Sequence, residues 1–407
     1  MSYWSRQRAC QAPEEPLLDF FKGLRQGTQT DPQTLVQNFE RVLNGNNRYP
    51  NTLVTAFYFA ARAATDSAFA CFENDGAREA GKEALVRRLE KWCTVTIGKM
   101  GMFEQRSLSN LIGAFYALRV RPPENFLESW AKRVPSQLKP ENCLSLQEIT
   151  TALAGLAIYP DEKVSKALVS GTEELGKSLK QRDILEYLYR LAVLDSLCLD
   201  AGQESLKRTI QDFVQMVASR VLIATNGKGA PALSTPERAQ LLTVLQWFSE
   251  EPIKGIEAPY ENGTSSASEG RLRKSFEAAG ASPQASFTCS QTGHKFDLAM
   301  RFGARAQRSV LIEYDGPCHF VRGVNGEAFY DGNTILQTRL HGKILPEEII
   351  IRVPYFVHGN QKENKQMWYR ASEAIEEAAS GIYQLEETGG LTPFCDVIQK
   401  PLNYSLR

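Results

Sequence analysis

Three acidic residues stand where a β-type sequence buries side chains. In Lys295-Phe-Asp-Leu-Ala-Met300, two-residue alternation puts Phe296, Leu298 and Met300 on one face and Asp297 on the other. In Val310-Leu-Ile-Glu-Tyr-Asp315, Glu313 and Asp315 share a face. An unpaired carboxylate is expensive in a buried strand, so two on one face imply a partner, a metal ion or an exposed strand end. Strand ends of open α/β sheets are where ligands bind. The ion that suits them is Mg²⁺, which keeps several waters and binds through one or two carboxylates plus substrate phosphate. Such a metal can generate a nucleophile and stabilise a phosphoryl transition state. Asp315-Gly316-Pro317 is also a turn signal. His319 just beyond it contacts phosphate or a metal-bound water, or is a turn histidine bonded to backbone. All four histidines (His294, His319, His341 and His358) lie in this last part of the chain, and His341 and His358 read as surface residues.

Positioning those residues takes an α/β set of elements. The sequence predicts a helix over 268–279 and strands over 285–289, 295–302 and 309–315. A helix over 333–344, a strand over 348–353 and a helix over 361–379 complete the order αβββαβα. Thr292-Gly293 supplies a hairpin turn between the first two strands. The turn-rich stretch from Pro259 to Ser268 precedes the domain. The layout expected is a flexible leader over 1–30, helical hairpins over 31–255, a linker over 256–267, an α/β domain over 268–380 and a tail over 381–407.

The helical region repeats itself. Leu108 and Leu146, Leu111 and Ile149, Ala114 and Ala152, and Leu118 and Leu156 are each 38 residues apart. The match continues through Pro122 and Pro160, Glu124 and Glu162, Phe126 and Val164, and Trp130 and Leu168. A weaker copy begins at Asp183, with Ile184, Tyr187 and Leu194 in register. Pro50–Arg62 reads as the first helix of an earlier, diverged copy, and Pro236–Phe248 as a terminal helix. Each unit is a helical hairpin with prolines at the turn, where a missing N–H is harmless. One hairpin cannot bury its apolar stripe alone, and stacking several gives an α-solenoid with a concave surface. Ala114, Ala152 and Gly155 are small enough for close packing.

Composition narrows the function classes. The 407 residues include 47 Lys+Arg against 47 Asp+Glu, and 43% are hydrophobic, which excludes a disordered chain and a globally basic one but leaves room for a local basic groove. The longest apolar stretch, from Leu53 to Ala64, is interrupted by Arg62 and too short to span a bilayer. The eight cysteines form no CxxC or CxxH pair, which disfavours zinc and suits buried thiols in a reducing compartment. The first residues have no apolar core for a secretory signal, and Glu14 and Glu15 oppose a mitochondrial transit peptide. The expectation is an intracellular protein, cytoplasmic or organellar if the leader is a targeting signal, with delivery into a host cell left open.

Leu108 to Trp130, with Arg121-Pro-Pro-Glu-Asn-Phe-Leu127 after the Ala-Phe-Tyr-Ala-Leu118 helix, resembles the octotricopeptide repeat. That resemblance implies a modular RNA-binding solenoid of the kind that acts on organellar transcripts. Asp297 and Glu313-x-Asp315, with Glu269 on the preceding helix, resemble the PD-(D/E)xK nuclease superfamily and its very-short-patch-repair-type branch. Ile312-Glu-Tyr-Asp-Gly-Pro-Cys-His-Phe320 is similar to the core motif of the RAP domain (RNA-binding domain abundant in Apicomplexa). The helix from Asn333 to His341 and the Ile351-Arg-Val-Pro-Tyr355 strand end fit that domain too, over about 265–380. RAP domains commonly follow helical repeats. The fold implied is an α-helical repeat solenoid followed by a smaller PD-(D/E)xK-like α/β domain. One departure stands out: the lysine of the nuclease motif falls at Asp315, and Lys295, His319 or Lys343 would have to replace it from elsewhere in space.

Arg119 and Arg121 at the hairpin turn, Lys132 and Arg133 on its second helix, and Arg271, Arg273 and Lys274 beside Glu269 are the candidate phosphate contacts. Arg87, Arg88 and Lys91 lie upstream. Tyr116, Phe126 and Trp130 are either stacking platforms or helix core, and Tyr355-Phe356 and Trp368-Tyr369 are further stacking candidates. The expectation is an RNA-binding protein in post-transcriptional control, whose repeats read single-stranded RNA while the C-terminal domain clamps or processes it. A first alternative is a Mg²⁺-dependent endoribonuclease, with Asp297 and Glu313 holding metal, Glu269 positioning water or metal, and Asp315 and His319 completing the catalytic set. A second is a protein-binding scaffold with a vestigial acidic site.

Overall fold

The computed structural model describes residues 15–44, 50–66, 72–138, 143–170, 181–197, 211, 234–249, 269–270, 273–274, 277, 282–289, 294–301, 309–324, 326–345 and 348–354. They divide into two compact units. The first holds the described residues before 221 together with Val321–Asn333, and the second holds those from 222 to Phe320 and from Thr334 onward.

The first unit is built from ten helices among the described residues: α1 (Glu15–Arg25), α2 (Pro32–Asn44), α3 (Pro50–Thr65), α4 (Asp75–Val86), α5 (Leu89–Ile97), α6 (Gln105–Leu118), α7 (Glu124–Arg133), α8 (Cys143–Gly155), α9 (Glu162–Ser170) and α10 (Gln181–Leu197). Helix α1 lies inside the stretch expected as a flexible leader, and buried Phe21 and Leu24 tie it down. Helices begin at residues chosen for it. Pro32 and Pro50 occupy first positions, and Asn74 caps α4 by accepting from the Ala77 N–H at 2.9 Å. Helix α3 packs on α1 and α6, α6 on α8, and α8 on α10. An aromatic chain runs through the core: Phe39 on Phe57, Phe57 on Trp92 with centroids 4.1 Å apart, and Trp92 on both Phe115 and Phe126. Trp130 is buried and donates its indole N–H to the Leu108 carbonyl at 3.0 Å. Phe126 and Trp130 are therefore core residues rather than stacking platforms.

The 38-residue spacing reappears in the backbone. Helix α6 ends at Arg119 with φ 55°, and α8 is followed by Ala157 with φ 52°. Both are left-handed helix caps, a conformation that closes the last turn. The Val120 N–H donates to the Phe115 carbonyl at 3.0 Å, and the Ile158 N–H to that of Leu153 at 2.9 Å, again 38 residues on. The apolar pairs aligned in the sequence, from Leu108 with Leu146 to Trp130 with Leu168, are all buried. Gly155 lies under the Tyr116 ring, and a Cβ there would stand 2.1 Å from Cε2.

The second unit contains α11 (Thr235–Phe248), β1 (Gln284–Thr288), β2 (Lys295–Arg301), β3 (Ser309–Asp315), the helix α12 (Gly332–Ile344) from Thr334 on, and β6 (Ile349–Pro354). Its sheet has the order β1-β2-β3-β6. β1, β2 and β3 pair antiparallel, and β3 pairs parallel with β6. A parallel partner needs a crossover, which runs through α12. Glu269, Gly270, Arg273, Lys274 and Glu277 lie in helical backbone. Two elements depart from the expected order. A short hairpin, β4 (Phe320–Arg322) with β5 (Ala328–Tyr330), stands between β3 and α12. Helix α11, expected to end the helical repeats, groups with the second unit. Phe296, Ala299, Leu311, Cys289 and Leu345 form the core there. The turn at Thr292-Gly293, the linker 256–267, the helix over 361–379 and the tail 381–407 lie outside the described residues. Among the described residues no helix is long and apolar enough to cross a membrane.

Gly155→Ala is expected to destabilise the first unit by about 1–3 kcal/mol, the usual range for an over-packed helix contact. Combining it with Tyr116→Ala should remove most of that effect. Urea titrations of the three variants check both statements, and an unchanged midpoint for Gly155→Ala would contradict the contact.

Candidate functional site

The site is assembled on β2, β3 and β6. Leu298 pairs with Ile312 across the antiparallel β2–β3 ladder, so one step along the register sets Asp297 opposite Glu313. The Tyr314 N–H donates to Asp297 Oδ2 at 2.7 Å. Burial pushes the Asp297 carboxyl up to about 7 against that hydrogen bond, and the negative charges of Glu313, Glu269 and Asp315 raise it further. Glu269 is thus within electrostatic reach of Asp297.

Glu313 is nearly buried and its Oε1 lies 2.6 Å from His294 Nε2. The His294 ring packs edge-on against Phe296 and 4.5 Å from the His341 ring. His341 is 1% exposed, which corrects its reading as a surface residue. It lies on the inner side of α12 against Phe296. Burial, with the nearby charges of His294 and Arg352, pushes its pKa down to about 2, so the imidazole is neutral at any ordinary pH.

Asp315 is fully buried and ion-paired with Arg352. Arg352 Nε donates to Asp315 Oδ2 at 2.8 Å, and Nη2 donates to Oδ1. The third Arg352 nitrogen, Nη1, donates to Thr338 Oγ1 at 3.3 Å. His319 lies 3.5 Å from Asp315 Oδ1 and 3.1 Å from Thr334 Oγ1 through its Nδ1. A cation therefore stands among these carboxylates, supplied by the neighbouring strand β6. A signal existed: Arg352 interrupts Ile349-Ile-Ile-Arg-Val, and a lone charge in an apolar strand needs a buried partner. Lys343 is engaged elsewhere, donating to the Trp247 and Ser249 carbonyls at the end of α11 at 2.7 and 2.6 Å. Among the described residues no group of three His, Cys, Asp or Glu is arranged to hold a metal ion.

The basic candidates are dispersed. Arg119 pairs with Asp331 at 3.2 Å. Arg121 lies over the Phe329 ring, 4.9 Å from its centroid. Lys132 is 80% exposed, 4.0 Å from Glu128. Arg133 donates to the Phe103 carbonyl at 3.3 Å. Arg273 pairs with Glu277 at 2.8 Å, and Lys274 is exposed. Upstream, Arg88 pairs with Glu40 and Lys91 reaches Asn44, which leaves those residues on a salt-bridged helix face. Arg271, His358, Tyr355-Phe356 and Trp368-Tyr369 lie outside the described residues.

Two variants probe this arrangement. Arg352→Met leaves the Asp315 charge buried without its partner and is expected to destabilise the domain by about 3–5 kcal/mol. Pairing it with Asp315→Leu should recover much of the loss in thermal unfolding. Asp297 behaves oppositely. Its folded pKa lies above the unfolded value of 3.8, so its protonated form favours folding and stability falls as pH rises from about 4 to about 7. Asp297→Asn is therefore expected to raise the melting temperature at pH 8 by about 2–4 °C and to do little at pH 4. Equal shifts at both pH values would contradict the burial of this carboxyl.

No protein-family model matches the chain, and a search of curated proteins returns no match.

Proposed function

We propose that the chain is an RNA-binding protein acting in post-transcriptional control. Its helical hairpins, read as an octotricopeptide-type solenoid, would hold a single-stranded segment, and its α/β domain, read as RAP-type, would clamp or process that segment. The observation that carries this reading is the recurrence at 38 residues of both the buried pairs and the left-handed caps at Arg119 and Ala157. Identical backbones with interchangeable outward side chains are what one-unit-per-base readers need. The test is direct. The purified chain should retain short mixed-sequence single-stranded RNA, with affinity falling steeply between low and physiological salt. A chain that binds no RNA at low salt, but captures a protein with no salt dependence, would establish the scaffold reading instead.

A second reading, a Mg²⁺-dependent endoribonuclease of PD-(D/E)xK type, rests on Asp297 and Glu313. They are opposed across two strands, and Asp297 is charged only against the repulsion of its neighbours. That donor set fits Mg²⁺, which is content with two carboxylates and completes its shell with water and phosphate. Bound there, it would supply Lewis-acid activation of phosphate. Asp297 and Glu313 would hold it, and Glu269 would add negative charge beside them. Mg²⁺ is expected to raise the melting temperature of the wild type at pH 8 and leave Asp297→Asn unmoved. It should also shorten the RNA in the wild type only. Cleavage that survives in Asp297→Asn would exclude this reading.

A further inference from the structure

From Val321 on, the β4–β5 hairpin belongs to the helical unit, where it meets the basic turn after α6. The contact is made by backbone. Arg121 N–H donates to the Arg322 carbonyl at 2.7 Å, and Arg322 N–H donates to the Arg119 carbonyl at 2.8 Å. These bonds form a parallel bridge between Val120 and Arg322. Gly332 completes the anchor: a Cβ there would stand 2.0 Å from the Ala154 carbonyl oxygen, so only glycine allows this approach. The arrangement is fixed before any side chain is considered.

The arginines gathered here are not equivalent. Arg119 is paired with Asp331 at 3.2 Å, Arg322 with Glu83 at 3.0 Å, and Arg190 donates to Asn333 at 2.9 Å. The Arg121 guanidinium has no ion pair or hydrogen bond among the described residues, and Glu124 acts on it only through space. It is half-buried and lies over the partly exposed Phe329 ring. The ring in turn is seated over Gly323, where a Cβ would come within 3.0 Å of it. A partly desolvated cation without a directly paired counter-charge is unfavourable. A planar guanidinium backed by an aromatic ring is also a surface on which bases stack, with N–H groups left for phosphate.

We propose that Arg121 and Phe329 form a nucleotide platform for single-stranded RNA, one base stacking on the guanidinium and its flanking phosphate accepting from the guanidinium edge. This rests on the RNA-binding reading and adds to a cation of the repeat turn a ring that the repeats do not provide. The helical turn supplies the cation and the hairpin supplies the ring.

The test measures affinity of the full chain for short mixed-sequence single-stranded RNA, across a salt series. It compares wild type, Arg121→Ala, Arg121→Lys, Phe329→Ala and Phe329→Tyr, each checked for unchanged thermal unfolding. Arg121→Ala is expected to weaken binding about tenfold and to reduce the salt slope by about 0.7, the share of one phosphate on a single strand. Phe329→Ala should weaken it about tenfold with the slope unchanged, and Phe329→Tyr should retain near-wild-type affinity. Arg121→Lys should keep the slope but not the affinity. If wild type binds RNA and both alanine variants bind equally well, the platform is wrong and the RNA-binding reading stands. If Phe329→Ala weakens binding to inorganic polyphosphate as much as to RNA, the base stack is wrong. If wild type binds no RNA, the functional reading fails and the platform with it.

Discussion

The buried ion pair between Asp315 and Arg352 is the constraint on which the α/β unit depends. Both groups lie inside a sheet, on neighbouring parallel strands, where neither charge is tolerable alone. Two nitrogens on two oxygens fix the guanidinium plane, and with it the alignment of β3 against β6. That alignment sets Glu313 beside Arg352 in the register. Across the other ladder it sets Asp297 opposite Glu313. His319 and Thr338 are tied to the same pair. Moving β3 by one residue would turn Glu313 and Asp315 to the opposite face of the sheet, away from all of these partners.

Three carboxylates on two adjacent strands would repel one another if nothing distinguished them. The surroundings do so. Asp315 is answered by a full cation, Glu313 by an imidazole at 2.6 Å, and Asp297 by a single backbone N–H. Asp297 is consequently the group whose charge is least compensated, and burial leaves its proton in place up to about pH 7. An external cation gains most by approaching that residue. His341 marks the opposite limit. Packed against Phe296 and His294, it behaves as an aromatic filler and offers no proton chemistry in the physiological range.

Periodic features were legible in the sequence because periodicity is a local property. Alternation in Lys295–Met300 and Val310–Asp315 located β2 and β3 almost to the residue, and the 38-residue recurrence matched buried pairs in space. What escaped was pairing across long sequence separations. Arg352 stands 37 residues after Asp315, and Asp331 stands 212 residues after Arg119. No window of the sequence holds both members of either pair. The β4–β5 hairpin escaped for another reason. Its strands are three residues each, shorter than any alternation can reveal. Glycines at 323 and 326 mark its turn, where Gly326 adopts φ 89°.

The same distinction separates basic residues that charge alone groups together. Arg119 and Arg121 are two residues apart on one turn, and sequence gives no reason to separate them. The left-handed cap at Arg119 ends helix α6, and Arg121 lies beyond it. One side chain is then carried to a buried carboxylate, Asp331, and the other to an aromatic face. A salt-bridged arginine has little left to offer a phosphate, because a ligand would have to displace a partner that is already in place and desolvated. An arginine on an aromatic face keeps both its charge and one side of its plane. What decides whether a basic residue near a repeat can meet nucleic acid is therefore the partner the fold assigns it, and the turn geometry assigns those partners two residues apart.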